Sequence, residues 1–425
     1  MLGTGTLDDP EWKEAAATGT TVSFHAAHGP DRLAIVSPSG DRTFAQLDAN
    51  ANRLARALRS AGLLAGDGVA LLCGNRAEYA EVWAATQRSG LRLTTINWHL
   101  TAGEAAYIAA DSGAKALIAD SLLAEVATAA AVDVPALRAS LAVGGDIDGF
   151  IDYADALAAE SGAALPDPVL GGTMLYTSGT TGRPKGVHRS KAAPPARALM
   201  TVYGYRPGAD AHLCTGPLYH AAPLAFSLAV PLHCGVGVVL MASWDPVETL
   251  ALIDAHSVTH THMVPTMFHR LLALPAEVRD GYDVSSLRVV LHGAAPCPVP
   301  VKEALIDWLG PVVYEYYAAT EGTGTFVDSH DWLAHPGTVG RAVLPGGVTV
   351  GDEDARPLPP GEPGVVWLAR SLADPFEYHG DPAKTSSTYR GDWFTLGDIG
   401  HLDADGWLYL TDRSANLIIS GGVNI

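Results

Sequence analysis

The sequence predicts an α/β protein: two stacked, doubly wound α/β subdomains followed by a small antiparallel β-barrel. Three observations carry this. Apolar strand-like runs alternate with amphipathic helical runs through the first part of the chain, the rhythm of βαβ units on a parallel sheet. The alternation resumes between residues 236 and 317. From Gly322 onward helical periodicity stops, and Gly, Pro and Asp punctuate short apolar runs, the pattern of short antiparallel strands.

Taken in order, Thr43 and Gln46 make a capping box, and Leu47, Leu54, Ala55 and Leu58 then form one apolar helical face. A buried strand over 68–73, a helix over 76–89 and a strand over 91–96 follow. Thr101 and Glu104 cap the next helix, and 116–119 reads as a strand. The second set comprises strands over 236–241, 258–264, 287–291 and 312–317. Helices fall over 246–256, capped by Asp245, from Pro265, and over 299–309. Ligands of such sheets bind beyond the carboxyl ends of the strands. The expected divisions are 1–170, 171–321, 322–413 and a terminal 414–425.

The chain has 425 residues, 48% of them hydrophobic and 17% charged, which is globular composition too long for one core. Its net charge of −19 argues against nucleic acid and anionic lipid as partners. Any polyphosphate site must then be a local positive exception, and Arg183, Lys185, His188, Arg189 and Lys191 supply one. The first residues lack the basic and apolar regions of a signal peptide. Cys73, Cys214, Cys234 and Cys297 are scattered and read as reduced thiols in a cytoplasmic protein. Residues 221–244 carry no Asp, Glu, Lys or Arg. Pro223, Pro231, Gly235, Gly237 and His233 interrupt the run, so a buried helix and a strand are expected, not an integral membrane segment.

The densest chemistry lies in residues 176–187, YTSGTTGRPKGV. Thr177, Ser178, Gly179, Thr180, Thr181 and Gly182 offer hydroxyls and backbone N–H groups to one small volume, and Lys185 adds a fixed cation, a combination suited to a polyphosphate. It is not a Walker A loop, because Pro184 precedes the lysine and Gly186 follows it. A plain surface loop is the alternative. His260 and His262 share a strand face, but no third ligand follows at metal spacing.

This loop closely resembles that of the adenylate-forming superfamily, which includes acyl-CoA synthetases, nonribosomal adenylation domains and beetle luciferases. The resemblance runs from about Thr43 to the last residue and is strongest to actinobacterial acyl-CoA synthetases. It implies the large N-terminal domain of such an enzyme, with ATP, Mg2+ and CoA as its cofactor and co-substrates. By that resemblance, Thr177, Lys185 and the loop hold phosphates, Thr320 touches the α-phosphate, and Glu321 holds magnesium. Gly293, Ala294, Ala295 and Pro296 line adenine, Tyr317 stacks on it, Asp398 accepts the ribose hydroxyls, and Arg413 contacts ribose or phosphate. His220 matches the gate between the acid and CoA channels. Ala221, Ala222, Phe226, His292, Tyr316 and Ala318 are the expected acid pocket; none is a lysine, arginine or acid, so an apolar carboxylic acid fits.

Two positions depart from the family pattern. Ala318 stands where glycine is usual, which narrows the pocket, and Ala415 stands at the pivot where Asp or Lys is usual. The pattern also places a domain of about 100 residues after 415–425, bearing the lysine of the first half-reaction. Without it we expect impaired turnover. The expected activity is an AMP-forming carboxylic acid–CoA ligase. Loading of a carrier protein and non-catalytic adenylate binding are the alternatives. The expected partner is a small carboxylic acid, with a homodimer as a candidate assembly.

Overall fold

The structure is a computed structural model that describes residues 5–177, 183–189, 191–193, 197–371, 375–413, 419–420 and 423–424. It divides into two compact units, Met1–Tyr176 with Lys191–Trp244, and Thr177–Ser190 with Asp245–Ile425.

The first unit is built on a six-stranded parallel sheet. Its order is Ile151–Asp152, Ala139–Val143, Ala114–Asp120, Gly68–Leu72, Arg92–Thr95, Gly172–Thr173. Every residue of Gly68–Leu72 is buried, as expected for a parallel strand covered on both faces. A second group of strands pairs Ala211–Cys214 with Gly237–Leu240, and that strand with Leu33–Val36, all parallel. Both expected capping boxes form. Thr43 heads helix Phe44–Ser60 and Thr101 heads Ala102–Asp111, each exchanging hydrogen bonds with the residue three further on. Leu47, Leu54, Ala55 and Leu58 are fully buried in the core.

The uncharged run after Ala221 takes an unexpected form. Pro223–Ala229 is a π-helix that runs into the short α-helix Val230–His233. No helix among the described residues is long and apolar enough to cross a membrane. The N-terminal helices are tied to the end of this run. The carbonyl of His233 accepts from Trp12 Nε1 and contacts His25 Nε2, both at 2.9 Å, and Arg32 donates to the Gly235 carbonyl at 2.8 Å. The His233 ring meets Thr21 Oγ1 at 2.7 Å. Burial pulls His25 down to about 4 and His233 to about 3, so both are neutral.

The second unit carries the parallel strands His260–Met263, Val289–His292 and Val313–Ala319. Gly322–Val327 turns back on Val313–Ala319 as an antiparallel neighbour. Helix Pro246–His256 starts as expected on Asp245, whose carboxylate accepts from two backbone N–H groups. Helices Pro265–Leu272 and Val299–Leu309 each open with proline in the first turn, where its missing donor costs nothing. The expected barrel is an antiparallel sheet of Val348–Gly351, Gly364–Ala369, Trp393–Leu402 and Tyr389–Arg390, with Leu408–Arg413 beside Trp393–Leu402. Its core holds Val350, Val366, Leu368, Phe376 and Phe394.

Candidate functional site

In the second unit one hairpin carries five of the candidate residues: Tyr316, Tyr317, Ala318, Thr320 and Glu321. Strand Val313–Ala319 reverses at Thr320 and Glu321 into Gly322–Val327. The ladder slips after Tyr317, leaving Gly324 as the extra residue. A Cβ at Gly324 would lie 2.5 Å from the Tyr317 carbonyl oxygen, so only glycine fits this bulge. The bulge sets the direction of Tyr317, whose hydroxyl donates to Asp398 Oδ2 at 2.7 Å.

Asp398 is 3% exposed. The glycines around it suggest a turn, but it lies inside the ten-residue strand Trp393–Leu402. There the strand bulges over 396–398 against Gly364–Ala369, with Gly397 at φ 83°. Arg413 is the cross-strand partner of Asp398 in the adjacent strand. The two residues expected at the ribose are therefore backbone neighbours.

Glu321 is 8% exposed. Its Oε1 accepts from the Tyr378 hydroxyl at 2.9 Å, and its carbonyl accepts from Arg189 at 2.8 Å. Burial pushes its carboxyl up, opposed by its own backbone N–H, by the Tyr378 hydroxyl and by the Arg189 and Lys384 charges. Arg189 lies in Lys185–Arg189, which pairs antiparallel with Phe376–Tyr378. At the other end of that strand, Lys185 Nζ sits 3.3 Å from Asp381 Oδ2 and 5.9 Å from the Tyr378 ring centroid. Asp381 also caps helix Pro382–Thr388 through the Lys384 N–H. That bond, followed by Lys185, holds its carboxyl low. Thr177 ends strand Leu175–Thr177. Ser178, Gly179, Thr180, Thr181, Gly182 and Ala415 lie outside the described residues.

The segment Gly293, Ala294, Ala295, Pro296 follows strand Val289–His292. A Cβ at Gly293 would strike the Tyr316 ring at 2.6 Å, so glycine lets this segment lie against Tyr316. Ala294 has φ 66°, a costly conformation for a residue with a Cβ and one found most often at functional sites. Tyr316 in turn meets His262 Nε2 at 3.0 Å, and His260 Nδ1 meets Thr259 Oγ1 at 2.7 Å. Both histidines thus have partners other than a metal. No group of three metal-ligating side chains is found among the described residues.

His292 is fully buried, edge-on to Phe268 at 5.1 Å, with Nε2 3.6 Å from Glu315 Oε2. Burial and the Lys302 charge hold its ring neutral. Lys302 Nζ pairs with Glu315 at 2.6 Å and lies 4.6 Å from the Trp332 centroid. Burial pushes the lysine down and the glutamate up, and each partner pulls the other back.

In the first unit His220 precedes the π-helix that carries Phe226. Ala221 and Ala222 follow it. Burial and His99 pull His220 down to about 4, and its Nε2 has no hydrogen-bond partner among the described residues. Tyr219 beside it lies 4.6 Å from Trp98, ring to ring. Asn75 donates to the carbonyls of Gly216 and Met241 and accepts from the Leu218 N–H, Tyr79 donates to the Leu218 carbonyl, and Thr95 to that of Tyr219. The segment bearing His220 is thereby held by side chains from 75–95.

Sequence reasoning did not single out Tyr378, Asp381, Lys302 or Glu315. Tyr378 and Asp381 carry no periodic or spacing signal and meet their partners only through folding. For Lys302 the signal was present: a lysine on the apolar side of a helix needs a buried acid.

The chain matches the AMP-binding enzyme family over residues 22–372, and it belongs to that family. A long-chain-fatty-acid–CoA ligase, FadD13 of Mycobacterium tuberculosis, is 34% identical over 427 residues, covering 96% of this chain and 80% of the relative. A feruloyl-CoA synthase from Amycolatopsis is 32% identical, with 90% and 76% covered. The inhibitor-bound N-terminal domain of FACL13 from M. tuberculosis superposes with a TM-score of 0.79 at 28% identity, covering 93% of this chain and 99% of that one.

Proposed function

We infer that this protein is an ATP-dependent, AMP-forming carboxylic acid–CoA ligase, making an acyl-adenylate and then an acyl-CoA thioester. The observation that carries the reading is the hairpin 313–327. It bears Tyr317 on Asp398 and Glu321 on Tyr378 and Arg189, so candidate nucleoside and phosphate groups meet in one unit.

In this reading adenine lies along 293–296 and Tyr317, and ribose hydroxyls donate to Asp398 beside Arg413. Lys185, Thr177 and the loop through 182 hold the polyphosphate, with Thr320 at the α-phosphate. The substrate carboxylate attacks the α-phosphorus, the bond to pyrophosphate breaks, and Lys185 with the loop N–H groups neutralises the leaving charge. CoA thiol then attacks the acyl carbon and AMP departs. Glu321 fits a magnesium ion, because one carboxylate joined by phosphate oxygens is a usual donor set for that ion. When bound, the ion would offset charge on the phosphate oxygens. Tyr316, Ala318 and Gly293 offer no charged group to the acid, and relatives named for fatty and ferulic acids support an apolar substrate. A cytoplasmic setting suits the four unpaired cysteines.

The test is a panel of carboxylates followed by pyrophosphate release and by thioester formation, with CoA or a carrier protein as acceptor. An apolar acid giving CoA thioester is expected. Thioester on the carrier protein alone would reassign the acceptor, and AMP binding with no pyrophosphate from any acid would leave a binding module.

A further inference from the structure

The two charged residues read as the polyphosphate site converge on one tyrosine. Tyr378 ends strand Phe376–Tyr378, opposite Val187, and its N–H donates to Thr385 Oγ1 at 3.0 Å. Its backbone is therefore held by a strand on one side and by helix Pro382–Thr388 on the other. From that position the hydroxyl donates to Glu321 Oε1 at 2.9 Å, and the ring lies 5.9 Å from Lys185 Nζ. That distance is at the edge of cation–π range.

We propose that Tyr378 is the positioning residue of the polyphosphate site. Its hydroxyl aims the Glu321 carboxylate at a divalent cation, and its ring backs the Lys185 ammonium, which Asp381 pairs with at 3.3 Å. This rests on reading Glu321 as cation ligand and Lys185 as phosphate ligand. Magnesium-like ions demand near-ideal geometry, and a carboxylate with one oxygen pinned presents the other in a fixed direction. Outer partners of this kind commonly change metal affinity by about ten- to hundredfold when removed. A plain core role is the competing account, since Phe376 packs edge-on to Tyr378 at 5.5 Å. A phenylalanine would serve that role equally well.

The test separates the hydroxyl from the ring by two binding measurements on the intact protein. Mn2+ affinity in the presence of ATP is read by electron paramagnetic resonance, and pyrophosphate affinity is read by calorimetry in chelator. Tyr378→Phe should weaken Mn2+ binding about ten- to hundredfold and leave metal-free pyrophosphate binding unchanged. Tyr378→Leu should also weaken pyrophosphate binding, by about two- to fivefold. Glu321→Gln and Lys185→Ala are the reference variants, and thermal melting checks that each is folded. If Glu321→Gln leaves Mn2+ affinity unchanged, the cation reading itself fails. If Glu321→Gln weakens Mn2+ binding and Tyr378→Phe does not, the tyrosine is only a packing residue and the proposal is overturned. A Tyr378→Phe loss that falls equally on Mn2+ and on metal-free pyrophosphate would overturn it too.

Discussion

Two buried glutamates on one hairpin are treated in opposite ways. Glu315 lies mid-strand, 4% exposed, and is matched by a lysine that is fully buried with it. Glu321 lies at the turn, 8% exposed, and its carboxylate is met by a neutral tyrosine hydroxyl, with no ion pair among the described residues. The Arg189 guanidinium donates to its carbonyl oxygen and reaches the carboxylate through its charge alone. A buried carboxylate closed off by a cation can only stabilise or strain the fold. One met by a neutral donor keeps its second oxygen open to something that arrives later. The first unit repeats the closed arrangement at Glu81, which is 1% exposed and takes hydrogen bonds from Arg42, Asn50 and Tyr153.

The contrast is tested most strongly at Lys302. Lys302→Met should destabilise the fold by about 3–5 kcal/mol in urea unfolding, because it strands a buried charge. Adding Glu315→Gln should recover most of that loss. A single variant within about 1 kcal/mol of the parent would mean that Glu315 is not a closed pair.

The neutral histidines of the first unit give the next effect. His25 and His233 have folded values depressed to about 4 and about 3 from 6.5. Below 6.5 the unfolded chain binds protons that the folded one refuses, so stability falls as pH drops from about 6.5 toward 4. The loss is on the order of 3 kcal/mol for a group shifted this far. His25→Gln should flatten the unfolding midpoint against pH, and an unchanged slope would contradict the assignment.

Asp398, which also meets a tyrosine hydroxyl, should behave like Glu321. Asp398→Asn keeps its size in the strand and should weaken binding of a non-hydrolysable acyl-adenylate by roughly ten- to hundredfold, about 1.5–3 kcal/mol. Inorganic pyrophosphate binding should be spared, and an equal loss of both would remove the ribose role. Smallest in energy, Glu321→Ala should slow pyrophosphate release at least about tenfold, near 1.4 kcal/mol, while thioester formation from supplied acyl-adenylate suffers less. Equal losses in both half-reactions would make Glu321 structural.

Elements defined by local chemistry were legible in the sequence. The capping boxes at Thr43 and Thr101, the cap at Asp245 and the helix starts at Pro265 and Val299 depend on residues within one turn of each other. Glu321 could be singled out because its motif is contiguous, but the hairpin it turns could not: Gly322 read as the start of the barrel, whereas Gly322–Val327 pairs back on Val313–Ala319. Contacts across the chain could not. Tyr378 and Glu321 are 57 residues apart, and nothing in either neighbourhood announces the other. Glycine was ambiguous for a physical reason. Gly397 and Gly400 read as turn residues, yet one supplies a bulge at positive φ, and a Cβ on the other would lie 2.4 Å from the Tyr409 carbonyl oxygen. The π-helix at Pro223–Ala229 was equally invisible, because its composition is that of any buried helix.

The anchoring of the first helices on the His233 carbonyl bears on how the chain is made. Trp12 and its acceptor are 221 residues apart, and His25 and its acceptor 208. At about 5–20 residues per second of synthesis, the N-terminal segment waits roughly 10–40 s before its docking surface exists. Through that interval Trp12, Ala15, Ala16 and Val22, all buried in the finished fold, have no native cover from that surface. The first unit therefore closes late, and contacts of such long range favour slow folding. Nascent chains arrested before residue 233 should be the species most avidly held by a chaperone that binds exposed apolar segments.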